Sequence, residues 1–264
     1  IGCGAIGSSL AKIIKKDFQD KAVIAKIFDL DEKKSFTLAR VLGYNNIVAG
    51  SRRELIKKVD LVIEATHMKY AYEITKDALN FSKDILVMSV GGIVARYRNL
   101  VKLAKRKKGK IYIPSGAICG IDGLKALAQD RIKSVRLTTT KPANSFKGVD
   151  FVKQRFGSLD KIKKDKVLFS GPAQKAIKYF PQNINVAAIL SLAGIGTKKT
   201  EIRIVASPKI KRNIHHIEID SDAGRVSTHT ENVPHPDNPK TSFLAVLSAV
   251  ATLKQIFESV KIGT

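Results

Sequence analysis

Gly2, Gly4 and Gly7 stand in G-x-G-x-x-G spacing within Ile1-Gly2-Cys3-Gly4-Ala5-Ile6-Gly7. Glycines so spaced let the backbone N–H groups of a strand-to-helix turn close on a diphosphate, at the positive end of the following helix. The spacing alone also suits a tight turn with no ligand, so the context decides. Residues 8–16 (SSLAKIIKK) carry apolar side chains at helical spacing, and 22–30 (AVIAKIFDL) reads as a buried strand. Asp29, 22 residues beyond Gly7, closes that strand where a carboxylate accepts the hydroxyls of an adenosine ribose. Gly2, Gly4, Ala5, Ile6, Gly7 and Asp29 are therefore expected to bind a dinucleotide. Asp29 favours NAD, whereas Lys33 and Lys34 could admit the 2′-phosphate of NADP. Almost nothing precedes the turn, so a few further native residues are expected ahead of Ile1.

The elements that must carry such a site follow from the pattern. Over the first 120 residues, apolar strands alternate with helices across short turns, which predicts a parallel sheet covered on both faces. Helices are expected over about 31–42, 51–58, 70–81 and 94–107, with strands at 47–49, 60–66, 85–90 and 110–113. Beyond residue 121 the rhythm changes. Strands at 134–140, 201–206, 214–219 and 225–230 alternate in burial, with short helices at 171–179 and 185–192 and a polar, charged connection at 147–166. This reads as an α+β domain with a mainly antiparallel sheet. The long amphipathic helix at 241–260 has no matching sheet after it and is expected to pack back on the first domain. The fold class is thus α/β: a dinucleotide domain of residues 1–120 joined by 240–264, and a substrate and dimerisation domain of 121–239.

Composition narrows the class further. Mean hydropathy is −0.06, and no apolar run reaches the ~18 residues of a membrane span. Cys3 and Cys119 cannot build a disulfide framework or a four-cysteine zinc site, and no histidine pair has metal-ligand spacing, so no metal is expected and the cytoplasm is the expected compartment. The formal net charge of +24 invites a polyanion reading, and 102–110 (KLAKRKKGK) holds six basic residues in nine. Yet lysines are spread along the whole chain, there is no Trp, and no segment alternates aromatic with basic residues. Solvated helix faces account for this charge, and no specific nucleic-acid partner is expected.

Several blocks recur together in one family. With the glycine turn stand Ser89-Val90-Gly91, Pro114-Ser115-Gly116-Ala117-Ile118, Thr140-Lys141-Pro142, Phe180-Pro181-Gln182-Asn183-Ile184-Asn185, Asn213-Ile214-His215, Glu231-Asn232-Val233-Pro234 and Asn238-Pro239-Lys240-Thr241-Ser242. In these the chain resembles the L-aspartate dehydrogenases over nearly its full length. The resemblance implies oxidation of L-aspartate with NAD or NADP to iminoaspartate, feeding NAD biosynthesis or hydrolysed to oxaloacetate and ammonia. It also implies a catalytic role for His215 and cofactor contacts from Ala117 and Asn185. One departure is His216, where the family leads us to expect an acidic residue.

Residue chemistry stands beside this resemblance. Oxidising an amino acid at Cα needs a proton acceptor near neutral pH, which imidazole supplies. Strand alternation sends His215 and His216 to opposite faces, so one of them at most faces a cleft between the domains. The plainer reading makes both of them polar residues on a half-exposed strand. His67, at a strand end, could line the site, while His229 and His235 are read as surface residues. Asn185 opens a helix and could equally be its N-cap. Substrate carboxylates need cationic or hydrogen-bonding partners, and Ser115, Lys141, Lys240 and Thr241 are the candidates. Cys119 would need a histidine beside it to act as a nucleophile. Related reductases acting on homoserine or dihydrodipicolinate are the nearest alternative, then a non-catalytic nucleotide or nucleic-acid binder. Exposed antiparallel strands make a homodimer the expected assembly.

Overall fold

The structure, a computed structural model, describes residues 1–180, 184–236 and 238–263, with Pro239 and Lys240 described in their backbone only. The chain divides into two units, Ile1–Pro114 with Val246–Lys261, and Ser115–Ala245 with Ile262–Thr264. These divisions fall at 114 and 245, against the 120 and 239 read from the sequence.

The first unit runs α1 (Ala5–Asp17), α2 (Glu32–Leu42), α3 (Arg52–Lys57), β1 (Leu61–Glu64), α4 (Met68–Asn80), β2 (Asp84–Val87), α5 (Tyr97–Lys107) and β3 (Ile111–Tyr112). Helix ends follow local chemistry. Asp31 caps α2 by accepting the Lys33 N–H, and Gly43, at φ 64°, closes it in the left-handed region that glycine tolerates. Ser51 caps α3 through the Glu54 N–H, while the Glu54 carboxylate reaches back to the Gly50 N–H at 2.9 Å.

Strands β1, β2 and β3 pair in parallel in that order. The sheet continues on the other side of β1 through single hydrogen bonds. The Ile1 ammonium donates to Ile63 O and Ala65 N to Ile1 O, Gly2 N donates to Phe28 O, and Ile27 bridges Val48 in parallel. From edge to edge the extended segments therefore run 48, 27, 1, β1, β2, β3, which in chain order is 3-2-1-4-5-6, the doubly wound dinucleotide arrangement. Val62, Ile85, Leu86 and Val87 are buried, as a parallel sheet covered on both faces requires.

The strand expected over 22–30 is a correction. Within it Ile27 is buried and bridges Val48, the Phe28 carbonyl accepts the Gly2 N–H, and Val23 is 80% exposed.

The second unit contains α6 (Ile121–Leu127), β4 (Ile132–Pro142), α7 (Asp150–Phe156), β5 (Lys166–Pro172), α8 (Ala173–Tyr179), α9 (Asn185–Ala193), β6 (Glu201–Ser207), β7 (Asn213–Ser221), β8 (Gly224–Asn232), β9 (Pro234–His235) and β10 (Asn238–Ser242). Its five-stranded sheet is ordered β5-β6-β4-β7-β8, antiparallel except for the β4–β6 pair. One face packs Val135, Leu137, Ile202, Ile204, Ile217 and Ile219 against side chains of α6, α8 and α9. Elements α6, α7 and β5 were not read from the sequence. In the charged connection, α7 places Phe151 stacked on Tyr179 at 4.6 Å between centroids. Helix α10 (Phe243–Phe257) packs back on the first unit, with Val246, Ala249 and Leu253 buried and the Phe257 ring 6.0 Å from Phe18.

Candidate active site

In the first unit the three glycines meet three different demands. A Cβ on Gly2, at φ 93°, would lie 2.4 Å from Ala65 O, and one on Gly7 would lie 1.8 Å from Gly2 O. Both positions therefore require glycine for the fold itself. Gly4 differs: a Cβ there meets nothing within 4 Å. It is exposed at the N-cap of α1, where the first-turn N–H groups lack intrahelical partners. Open space over a helix N-terminus is what a diphosphate needs, so these residues fit a dinucleotide. Ala5 and Ile6 form the first half-buried turn of α1.

Asp29 accepts the Cys3 N–H at 2.7 Å and the Asp31 N–H at 2.9 Å, which fixes its carboxylate beside the turn. With Gly2, Gly4, Thr66, His67 and Lys34 it lines a cavity of about 1000 Å³ within this unit. Glu64, which sequence reasoning did not single out, is fully buried at the carboxyl end of β1. It accepts the Thr66 N–H at 2.7 Å, the Thr66 hydroxyl at 2.6 Å and the Ser89 N–H at 2.9 Å, tying together the loops that follow β1 and β2. A strand ending in Glu-Ala-Thr was the visible signal.

In the second unit, antiparallel pairing of β4 with β7 sets Thr139 opposite His215. The Thr139 hydroxyl lies 3.0 Å from His215 Nδ1. Lys141, two residues along β4, shares that face. His215 is 3% exposed and Lys141 7%. Burial, and then the Lys141 charge, push the His215 pKa down to about 3, so the imidazole is neutral at physiological pH. Burial lowers Lys141 to about 8. When Nδ1–H donates to Thr139, Nε2 keeps its lone pair and can accept a proton. His216 faces the other side, its Nε2 3.0 Å from the Ser227 hydroxyl. The partnership of His215 with Thr139 was missed because it depends on strand register.

The remaining candidates separate. Ala117 is buried, its carbonyl accepting the Asn232 amide at 3.0 Å, with Ser115 half-buried on the same loop. Asn185 is the exposed first residue of α9. Its N-cap reading is corrected, since Ile184 occupies that position. Thr241 lies in β10 rather than at a helix N-terminus, and its hydroxyl accepts the Asn238 amide at 3.2 Å. The Lys240 side chain lies outside the described residues, as do Pro181, Gln182 and Asn183 of the family block. His67 caps α4 through Lys69 N. The surface assignment of His235 is overturned: it is 2% exposed and meets the Phe243 ring edge-on at 5.6 Å. Cys119 is exposed. Among the described residues no cluster could hold a metal ion.

A diphosphate turn on a doubly wound sheet, with a buried neutral imidazole on a second sheet, defines an NAD(P)-dependent oxidoreductase. Comparison with known proteins gives the family. A family model described as "Homoserine dehydrogenase, NAD binding domain" matches residues 2–114, and one described as "Aspartate dehydrogenase, C-terminal" matches residues 122–256. The chain is 41% identical over 266 residues to an L-aspartate dehydrogenase of Methanosarcina barkeri, covering all of this chain and 98% of that one. It is 38% identical over 268 residues to one of Nitrosopumilus maritimus, with the same coverage. The crystal structure of an aspartate dehydrogenase from Thermotoga maritima superposes with a TM-score of 0.74 at 25% identity, over 99% of this chain and 97% of that one. The chain belongs to the aspartate dehydrogenase family.

Proposed function

We propose that the chain oxidises L-aspartate at Cα to iminoaspartate with NAD or NADP, water then releasing oxaloacetate and ammonia. One observation carries this reading: a buried, neutral His215 beside a buried Lys141, in a chain of this family that also holds the diphosphate turn. The nicotinamide, when bound, supplies the acceptor for the Cα hydride. Gly4 and the first turn of α1 take the diphosphate, Asp29 the ribose hydroxyls, and Ala117 and Asn185 the nicotinamide end.

Lys141 donates to a substrate carboxylate, assisted by Ser115, Lys240 and Thr241. His215 Nε2 accepts the proton of the water that attacks the imine. The two groups act in sequence. A bound carboxylate offsets the Lys141 charge, and His215 rises from its depressed value toward the range in which imidazole works as a base.

In this reading iminoaspartate also feeds pyridine nucleotide biosynthesis in the cytoplasm. No helix among the described residues is long and apolar enough to cross a membrane. A homodimer, pairing copies across the edge strand β8, is the proposed assembly.

The test is reduced-nicotinamide absorbance with aspartate and each cofactor. Homoserine and dihydrodipicolinate, offered in parallel, should give no turnover. His215→Ala should lower kcat by about 10²- to 10⁴-fold. A variant retaining the wild-type rate would remove His215 from the reaction.

A further inference from the structure

The inward face of the second sheet is apolar along most of its length and polar at one end. At that end Thr139, Lys141, His215, Thr230 and Asn232 are each at least nine-tenths buried. Three side-chain oxygens in buried positions have no hydrogen-bond partner among the described residues, and two of them, Thr230 Oγ1 and Asn232 Oδ1, lie here; the third is Ser191 Oγ on α9. A fold that leaves such groups unpaired loses their hydration without compensation, so two on one strand face call for a missing partner.

Register says where that partner sits. Thr230 lies directly opposite His215 on the neighbouring strand, flanking the imidazole on the side away from Thr139. Asn232 is two residues further along the same face, opposite Asn213. Cross-strand neighbours stand about 5 Å apart, so a molecule touching His215 is in reach of both.

Chemistry then says what kind of group it is. The Asn232 amide nitrogen donates to the Ala117 carbonyl at 3.0 Å, which fixes the amide plane and leaves its oxygen presented as an acceptor. A carboxylate offers that oxygen nothing, and carboxylates already have Lys141. The group on an amino acid that can donate here is its α-amine.

We propose that Thr230 and Asn232 form the amine-recognition site for the substrate and set its preference for amino over hydroxy acids. This rests on the aspartate dehydrogenase reading above. An amine donates to both oxygens at once, whereas a hydroxyl has one hydrogen to give and engages the second group only by accepting from the Thr230 hydroxyl. The 2-oxo acid product has no donor at that carbon and leaves the Asn232 oxygen unpaired, which favours its release.

The experiment uses Thr230→Val, which removes the hydroxyl at nearly constant volume, and Thr230→Ser, which keeps it. We measure KM for L-aspartate, kcat, the inhibition constant of succinate (the same dicarboxylate without the amine) and the dissociation constant of NAD. Thr230→Val should raise KM for aspartate about ten-fold while succinate inhibition and NAD affinity stay within two-fold. Thr230→Ser should restore KM. Asn232→Ala should act in the same direction, with a weakened NAD affinity because Ala117 loses its donor. An unchanged KM in Thr230→Val, or equal losses for aspartate and succinate, would overturn the amine site. Should Thr230→Val fail to fold, Thr230→Ser and Asn232→Ala decide: the first must keep the wild-type KM and the second must raise it for aspartate more than it weakens succinate, or the amine site falls. Wild-type protein that oxidises no aspartate with either cofactor would instead overturn the underlying reading.

Discussion

The two units build their sites in opposite ways. The nucleotide loop is contiguous: Gly2, Gly4 and Gly7 lie within one turn, and Ala65 and Asp29 only close it. The imidazole site is dispersed, with Thr139 and Lys141 on β4, His215 on β7 and Thr230 and Asn232 on β8, brought together by register alone. Backbone geometry makes the first site, so its residues are mostly glycine. The second depends on side chains withdrawn from water, and its chemistry lies in what burial does to charge. Disturbance of the first should show in folding and cofactor affinity, and of the second in pH dependence.

The largest expected effect belongs to the dispersed site. His215 titrates near 3 when folded and near 6.5 when unfolded, so the unfolded chain binds the extra proton between those values. Stability should be unaffected by this group above about pH 6.5 and fall as pH drops toward 3, by on the order of 5 kcal/mol in total. Denaturant titrations from pH 7 to 4 check this, and His215→Asn should flatten the slope. A wild-type profile no steeper than the variant's would show that the imidazole is not buried in the neutral form.

Next comes Gly7→Ala. Its Cβ meets backbone that cannot swing aside, and the variant should lose about 3 kcal/mol of stability, at the upper end for overpacking. Thermal unfolding reads it directly.

Lys141 sharpens the contrast from the other side. Its charge is present below about pH 8 and lost above it. KM for a dicarboxylate should therefore rise, by about ten-fold per pH unit once pH exceeds 8, with kcat less affected. Lys141→Met should remove that rise and raise KM at neutral pH by about 10- to 100-fold.

The smallest effect is the most diagnostic. Gly4→Ala has room for its methyl and should melt with wild type, yet bind NAD about ten-fold more weakly. Equal affinity would mean that no diphosphate approaches that carbon.

This contrast also explains what could be read in advance. The glycine turn, Asp29 and the strand–helix alternation were legible because each depends on near neighbours in sequence. His215 could be placed on one face by period two, and Lys141 noticed beside its threonines, but Thr139 and Thr230 as neighbours of the imidazole needed the pairing of three strands. Errors have the same origin. His235 is polar in type but covered by Phe243, which follows it in sequence by only eight residues but across the β9–β10 pair. Asn185 opens α9 as read, but the N-cap position that Asn favours belongs to Ile184.

Helix α10 leaves a consequence for biogenesis. The core of the first unit is completed by Val246, Ala249, Leu253 and Phe257, which a ribosome delivers only after every strand of the second unit. Amino-terminal domains ordinarily mature first during translation. Here the later-made unit can finish before the earlier one, whose nascent sheet must wait with an uncovered apolar flank until its last helix emerges.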